Sequence, residues 1–194
     1  MIKLAKISSL VSLYPLPQYV VVLEDIDRTH LVPIWIGAQE GNAIALEMQG
    51  EKFPRPLTHD LIIDIIHSLG AEVEQVVISD LKENSYYAII FLRQGEEVVE
   101  LDARPSDSLA IAVRTNCPVY IDEKVLAKCP PMSGPITEAD VDRFKKDLMS
   151  MSPEEFFKSL ESAPPNTMEP EIHLDDQRDE ESADDEDDTT EEKD

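Results

Sequence analysis

Residues 97–113 pass from a strand pattern to a helix pattern across a single joint, and that joint constrains the fold more than any other stretch. Glu97-Val98-Val99-Glu100-Leu101 reads as a strand. Leu109-Ala110-Ile111-Ala112-Val113 reads as a helix that is apolar on nearly every side, so it belongs at the centre of a fold rather than on its surface. Between them runs Leu101-Asp102-Ala103-Arg104-Pro105-Ser106-Asp107-Ser108. Loops held between rigid elements are where sites are usually built. Ser106 suits an N-cap, and Asp107 in the first turn complements the helix dipole. Capping does not explain Asp102 and Arg104.

A second segment echoes the first. Pro54-Arg55-Pro56-Leu57-Thr58-His59-Asp60-Leu61 again runs Arg-Pro, a hydroxyl residue, Asp, and then an apolar helix. Thr58 is the expected N-cap, which places His59 and Asp60 in the first turn, where backbone N–H groups lack intrahelical partners and attract anions. Two such helix starts, each preceded by an arginine, fit a duplicated strand–helix unit, one composite anion site, or chance similarity.

The remaining periodicities fill in an α+β domain, compact, mixed and strand-rich. Ile2–Leu13, Tyr19–Leu23, Leu31–Ile36, Val73–Ser79, Tyr86–Arg93 and Val119–Ile121 read as further strands. Ala38–Gln49 reads as a helix closed by Gly50, with Glu40 in its first turn, and a second helix carries Leu61, Ile62, Ile65, Ile66 and Leu69 before Gly70. Residues 1–128 form the core domain on this reading. Residues 129–163 form a linker and two short helices near 138–149 and 153–161, opened by Thr137-Glu138-Ala139-Asp140 and Ser152-Pro153-Glu154-Glu155, both capping-box patterns.

Charge divides the chain again. Of a formal net charge of −24 over 194 residues, residues 1–163 hold 26 acids and 15 bases, hence −11, and residues 164–194 hold 15 acids and 2 bases, hence −13. A segment with so much like charge and so few large apolar residues is expected to be a disordered acidic tail. Cys117 and Cys129 make no disulfide framework and no zinc spacing, which fits a reducing cytoplasm. Lys3 and Lys6 before Ile7–Leu16 faintly mimic a signal peptide, but serines interrupt the run and it reads as a strand. No stretch approaches the ~18 apolar residues of a membrane span.

Three of the stretches above carry a family resemblance. Val32-Pro33-Ile34-Trp35-Ile36-Gly37 with Glu40, Phe53-Pro54-Arg55-Pro56-Leu57-Thr58-His59-Asp60, and Leu101-Asp102-Ala103-Arg104-Pro105-Ser106-Asp107 closely resemble the bifunctional nuclease family, over about residues 2–128. The resemblance implies a compact α+β fold, a homo-oligomer with a dimer as the simplest form, and nuclease activity on both DNA and RNA. Some members end in a small module similar to one in excision-repair proteins, and the acidic tail departs from that pattern.

Phosphodiester hydrolysis needs charge neutralised on the phosphoryl oxygens and an activated water, commonly through a divalent metal held by carboxylates. Asp102, Asp107, Asp60 and Glu40 are the expected metal ligands, for Mg²⁺ or Mn²⁺. His59 is the expected general acid or base, and Arg55 and Arg104 the expected phosphate clamps. Trp35, in an apolar strand, is expected in the core rather than as a base platform. Against a nucleic-acid partner stands the charge: the sequence has no basic cluster beyond Lys145-Lys146, so binding to DNA or RNA is expected to be weak. The alternative is a non-catalytic regulatory or interaction protein that binds a small anionic ligand or a protein partner.

Overall fold

The structure, a computed structural model, describes residues 1–129, 131–132 and 134–162. The expected acidic tail lies outside the described residues. The elements are β1 (Ile2–Ser12), β2 (Gln18–Asp25), β3 (Leu31–Gly37), α1 (Ala38–Met48), α2 (Thr58–Ser68), β4 (Glu72–Lys82), β5 (Ser85–Gln94), β6 (Glu97–Ala103), α3 (Pro105–Thr115), β7 (Val119–Asp122), α4 (Glu123–Leu126), α5 (Glu138–Ser150) and α6 (Pro153–Ser162). The fold is mixed α+β, as the periodicities indicate.

Seven strands form one sheet in the order β3-β2-β1-β7-β4-β5-β6. It consists of two antiparallel meanders, β1-β2-β3 and β4-β5-β6, joined by the four-residue β7. β7 runs antiparallel to Ile2–Ala5 and parallel to Val76–Ile78. The chain reaches it from β6 through α3, so the apolar helix crosses over the middle of the sheet.

Both faces of the sheet are covered near β2, which explains why Val20-Val21-Val22-Leu23 shows no alternation: all four side chains are buried. Val21 and Leu23 enter a core with Ile44, Leu109, Ala110 and Ile111 under α1 and α3. Val20 and Val22 enter a second core with Val141, Leu148, Phe156 and Phe157 of α5 and α6. Trp35 packs at 5.3 Å from Phe156 and 6.1 Å from Phe157 between ring centroids, on that second face. Both capping boxes form as the sequence indicates, Thr137 with Asp140 and Ser152 with Glu155. Cys117 and Cys129 are unpaired. No helix among the described residues is long and apolar enough to cross a membrane.

Buried charge is placed at the β2–β3 hairpin. Asp25 is fully buried and accepts hydrogen bonds from Thr29 N (2.7 Å), Thr29 Oγ1 (2.6 Å) and His30 N (2.7 Å). Burial pushes its carboxyl up, but the Thr29 hydroxyl and the two backbone N–H groups outweigh that and hold it below its ordinary value.

Candidate functional site

Each of the three expected motifs ends in a helix whose third residue is acidic: Glu40 in α1, Asp60 in α2 and Asp107 in α3. Acids in a first turn are favoured by the free N–H groups there. The caps themselves differ from expectation. The N-cap of α3 is Arg104, with Pro105 first in the helix and Ser106 second; that of α2 is Leu57, with Thr58 first. Pro105, lacking an N–H and with φ pre-set for a helix, starts α3 two residues early. Asp60 reaches back to accept the Leu57 N–H at 2.8 Å, as the acidic member of a capping box does.

Tertiary packing then joins these starts. Arg104 donates from Nη2 to Glu40 Oε1 (2.7 Å) and from Nε to Asp107 Oδ2 (2.8 Å). The other Asp107 oxygen, Oδ1, lies 3.2 Å from His59 Nε2. Glu40, Arg104, Asp107 and His59 therefore form one connected network drawn from all three motifs. The Asp107 hydrogen bond, then the charges of Asp107 and Glu40, raise the Arg104 pKa above its ordinary value. Yet the Arg104 side chain is 67% exposed, whereas His59 is only 8% exposed. Gly37 makes room for this: a Cβ there would sit 2.6 Å from Glu40 Oε2.

A second arginine braces the helices from behind. Arg114, its side chain 5% exposed, donates to Asp60 Oδ1 (2.6 Å), Ala110 O (2.8 Å) and Ala43 O (3.0 Å), tying α1, α2 and α3 together. Burial raises the Asp60 carboxyl, but the Arg114 hydrogen bond and the Leu57 N–H outweigh it and leave Asp60 below its ordinary value.

Two expected site residues stand apart from the network. Arg55 is exposed in the loop before α2, and Asp102 is exposed on β6, paired in register with Ile89. β6 runs through Asp102 to Ala103, so this carboxylate lies on a strand and not in the joint. Neither has a side-chain hydrogen bond or ion pair with the described residues. The segment before α2 contains no strand, so the Arg-Pro echo is not a duplicated strand–helix unit. The contact of His59 with Asp107 instead makes the two starts parts of one arrangement.

The four carboxylates do not gather as a metal site. Arg104 holds Glu40 and Asp107, Arg114 holds Asp60, and among the described residues no group of three or more His, Cys, Asp or Glu is placed to hold an ion. Where Glu40 and Asp107 approach one another, the cation between them is a guanidinium.

Beside Arg104 opens a cavity of about 310 Å³, lined by Trp35 and Gly37 of β3, Ser85 and Tyr86 of β5, Arg104 and Pro105 at the start of α3, and Phe157 of α6. Strands β3 and β5 are separated in the sheet by β2, β1, β7 and β4, so the sheet curls to bring both to one helix start. Sequence reasoning missed this cavity, because Tyr86 and Phe157 show there only as strand and helix apolar residues. It also passed over Arg114 as a bracing residue, although its place seven residues after Asp107 puts both on one side of α3.

Comparison with known proteins reaches the same three motifs. The bifunctional nuclease domain matches residues 21–132. An uncharacterized protein of Mycobacterium tuberculosis is 44% identical over 152 residues, covering 73% of this chain and 90% of that protein. Bifunctional nuclease 1 of Arabidopsis thaliana is 28% identical over 112 residues, 56% of this chain and 34% of that protein. Bifunctional nuclease 2 of Oryza sativa subsp. japonica is 30% identical over 110 residues, again 34% of its own length.

Proposed function

Because the chain belongs to the bifunctional nuclease domain family, we propose that it hydrolyses phosphodiester bonds of DNA and RNA at the Glu40–Arg104–Asp107–His59 network. One observation carries this reading: an exposed guanidinium that lines a cavity shares a single carboxylate with a histidine. Such a group can neutralise phosphoryl oxygens and move a proton in the same place.

The step follows from the donors. Arg104 has five N–H groups, two of which are engaged by Glu40 and Asp107. The others are left for the oxygens of a phosphate, and the two carboxylates fix their direction. With Nε2 protonated toward Asp107, His59 keeps Nδ1 as an acceptor. Water attacks phosphorus and gives its proton to that nitrogen. The bond to the departing oxygen breaks, and this oxygen takes the proton back. Arg55, exposed before α2, supplies a second guanidinium for a neighbouring phosphate. Asp60 and Arg114 position α2 and do not meet the substrate. Glu40 and Asp107 are engaged by Arg104, and Asp60 by Arg114, so the step is written with these side chains alone, and dependence on Mg²⁺ or Mn²⁺ is decided by the chelator test below. The unpaired Cys117 and Cys129 support a cytoplasmic location.

A second reading, a non-catalytic regulatory or interaction protein holding a small anionic ligand, is favoured by the charge of −11 over residues 1–163. Hydrolysis of labelled DNA and RNA by the wild-type chain and by Asp107→Asn separates the two, because a contaminating nuclease survives the substitution. The nuclease reading expects cleavage that falls at least about tenfold in Asp107→Asn, with the fold intact by circular dichroism. Equal cleavage by both proteins overturns it. Cleavage abolished by a chelator and restored by Mg²⁺ overturns the metal-free form of the step.

A further inference from the structure

The sequence shows no basic cluster beyond Lys145-Lys146, but the fold builds one elsewhere. Asp80 of β4 lies 2.9 Å from Lys82 Nζ and 3.7 Å from both Lys124 Nζ and Lys128 Nζ. These lysines come from the end of β4 and from the α4 region, more than forty residues apart in sequence. Three ammonium groups surround one carboxylate, and all three side chains are about half exposed or more. The Lys82 hydrogen bond and the neighbouring lysine charges pull the Asp80 carboxyl down to about 2. Of the nearby acids, Glu123 is engaged by the Met1 ammonium at 3.6 Å, and Glu83 stands in the β4–β5 turn. Lys82 also lies 5.3 Å from the ring centroid of Tyr87, a partly exposed aromatic.

This cluster adjoins the cavity. Lys82 is the cross-strand partner of Ser85, which lines the cavity. So the β4–β5 hairpin joins Lys82, one of the three lysines, to the cavity wall at Ser85 and Tyr86. Trp35, Tyr86 and Phe157 give the cavity aromatic walls on which a flat heterocycle can stack, and at about 310 Å³ the space sits at the small end of ligand pockets.

We propose that the cavity and the lysine cluster form one track for a single strand of nucleic acid, with one unpaired base in the Trp35–Tyr86 cavity and the adjoining phosphates on Lys82, Lys124 and Lys128. The inference rests on the nuclease reading for the phosphate at Arg104 and names its substrate class. A base inside a duplex cannot enter such a cavity without leaving the stack, so the track selects unpaired strands. Lysines along a groove and an aromatic beside them are the usual means of holding a single strand without reading its sequence.

The test is binding, measured by fluorescence anisotropy of the full chain with a labelled oligothymidylate, a duplex of equal length, and an abasic strand of the same number of phosphates. The expected order is oligothymidylate at least tenfold tighter than duplex, with the abasic strand intermediate. Lys82→Gln/Lys124→Gln/Lys128→Gln is expected to weaken oligothymidylate at least tenfold and to flatten its salt dependence by about two in slope, at roughly 0.7 for each phosphate no longer neutralised. Ser85→Trp, which fills the cavity from its exposed wall on β5, is expected to weaken oligothymidylate but not the abasic strand. Equal affinity for single strand and duplex, or unchanged affinity in the triple variant, overturns the track. The two readings fail separately. Binding of this pattern without cleavage leaves the track and removes the nuclease step, while cleavage with no loss of affinity in the triple variant does the reverse.

Discussion

His59 Nε2 stands 3.2 Å from Asp107 Oδ1 across 48 residues of chain. That contact joins the start of α2 to the start of α3, and it gives Asp107 two basic partners, since its other oxygen takes Arg104. One side chain thus sets the direction of both groups on which the proposed chemistry depends.

Arg104 and Arg114 should separate activity from stability. Arg104 is largely exposed, and ion pairs in such a setting contribute at most about 1 kcal/mol. Arg104→Gln should therefore melt close to the wild type while losing at least about tenfold in cleavage, as when a positioned charge is removed. Arg114 is buried and holds three acceptors on three helices. Arg114→Met should cost about 3 kcal/mol, since it leaves those acceptors without their donor. Denaturant unfolding and a cleavage assay on the two variants check both statements. The reverse assignment of effects would mean that Arg104 is the structural brace.

The histidine should be replaceable in structure but not in chemistry. His59→Gln keeps a group able to donate to Asp107 and removes the nitrogen that accepts the water proton. Cleavage should fall by about a hundredfold, the lower range for loss of a general base, while affinity for an oligonucleotide changes little. A drop in affinity with unchanged turnover at saturation would make His59 a binding residue.

Acid should unfold the protein partly through Asp25. Its native pKa lies below the ordinary 3.8, so the carboxylate contributes stability above about pH 4, and that contribution is lost as the pH falls through the lowered native value. Asp25→Ala leaves the Thr29 and His30 donors unpaired and should cost about 3 kcal/mol at neutral pH. Its stability should then vary less than that of the wild type below pH 4. Urea unfolding of both proteins across that range gives the comparison; parallel curves would show that other carboxylates carry the acid transition.

Association should use the flank formed by α2 and β6. β6 is an edge strand whose outer N–H and C=O groups have no ladder partner among the described residues. On the helix-covered face beside it, Val99 and Leu101 are more than 40% exposed, and Leu61 and Ile65 of α2 with Leu69 at its C-cap, spaced four apart, are half exposed or more. A second copy paired antiparallel along β6 covers both the strand edge and the apolar stripe. Light scattering should give about twice the 21.8 kDa subunit mass. Ile65→Glu should return it to the subunit mass without unfolding. Glu97, Glu100 and Asp102 bring like charges to this edge, so salt should strengthen the dimer.

Much of the fold was legible in the chain because it is written in local chemistry. The strand and helix periods, Gly50 and Gly70 closing α1 and α2, and the capping boxes at Thr137 and Ser152 depend on residues within one turn or one strand of each other. The three motifs were legible as candidates for the same reason: an acid in the first turn of a helix, beside an arginine in the second and third of them, is a short-range pattern. What the chain could not show is which of these starts meet. The position of β7 between β1 and β4, and the curl that carries β3 and β5 to the start of α3, depend on two cores formed at once on both faces of the sheet. Packing alone decided that Asp107 meets His59 while Asp102 stays on the edge of the sheet. Packing also gathered Lys82, Lys124 and Lys128 around Asp80 in a strongly acidic chain. Charge counted along a sequence averages over the molecule, but a ligand meets only the groups within a screening length of the surface it touches.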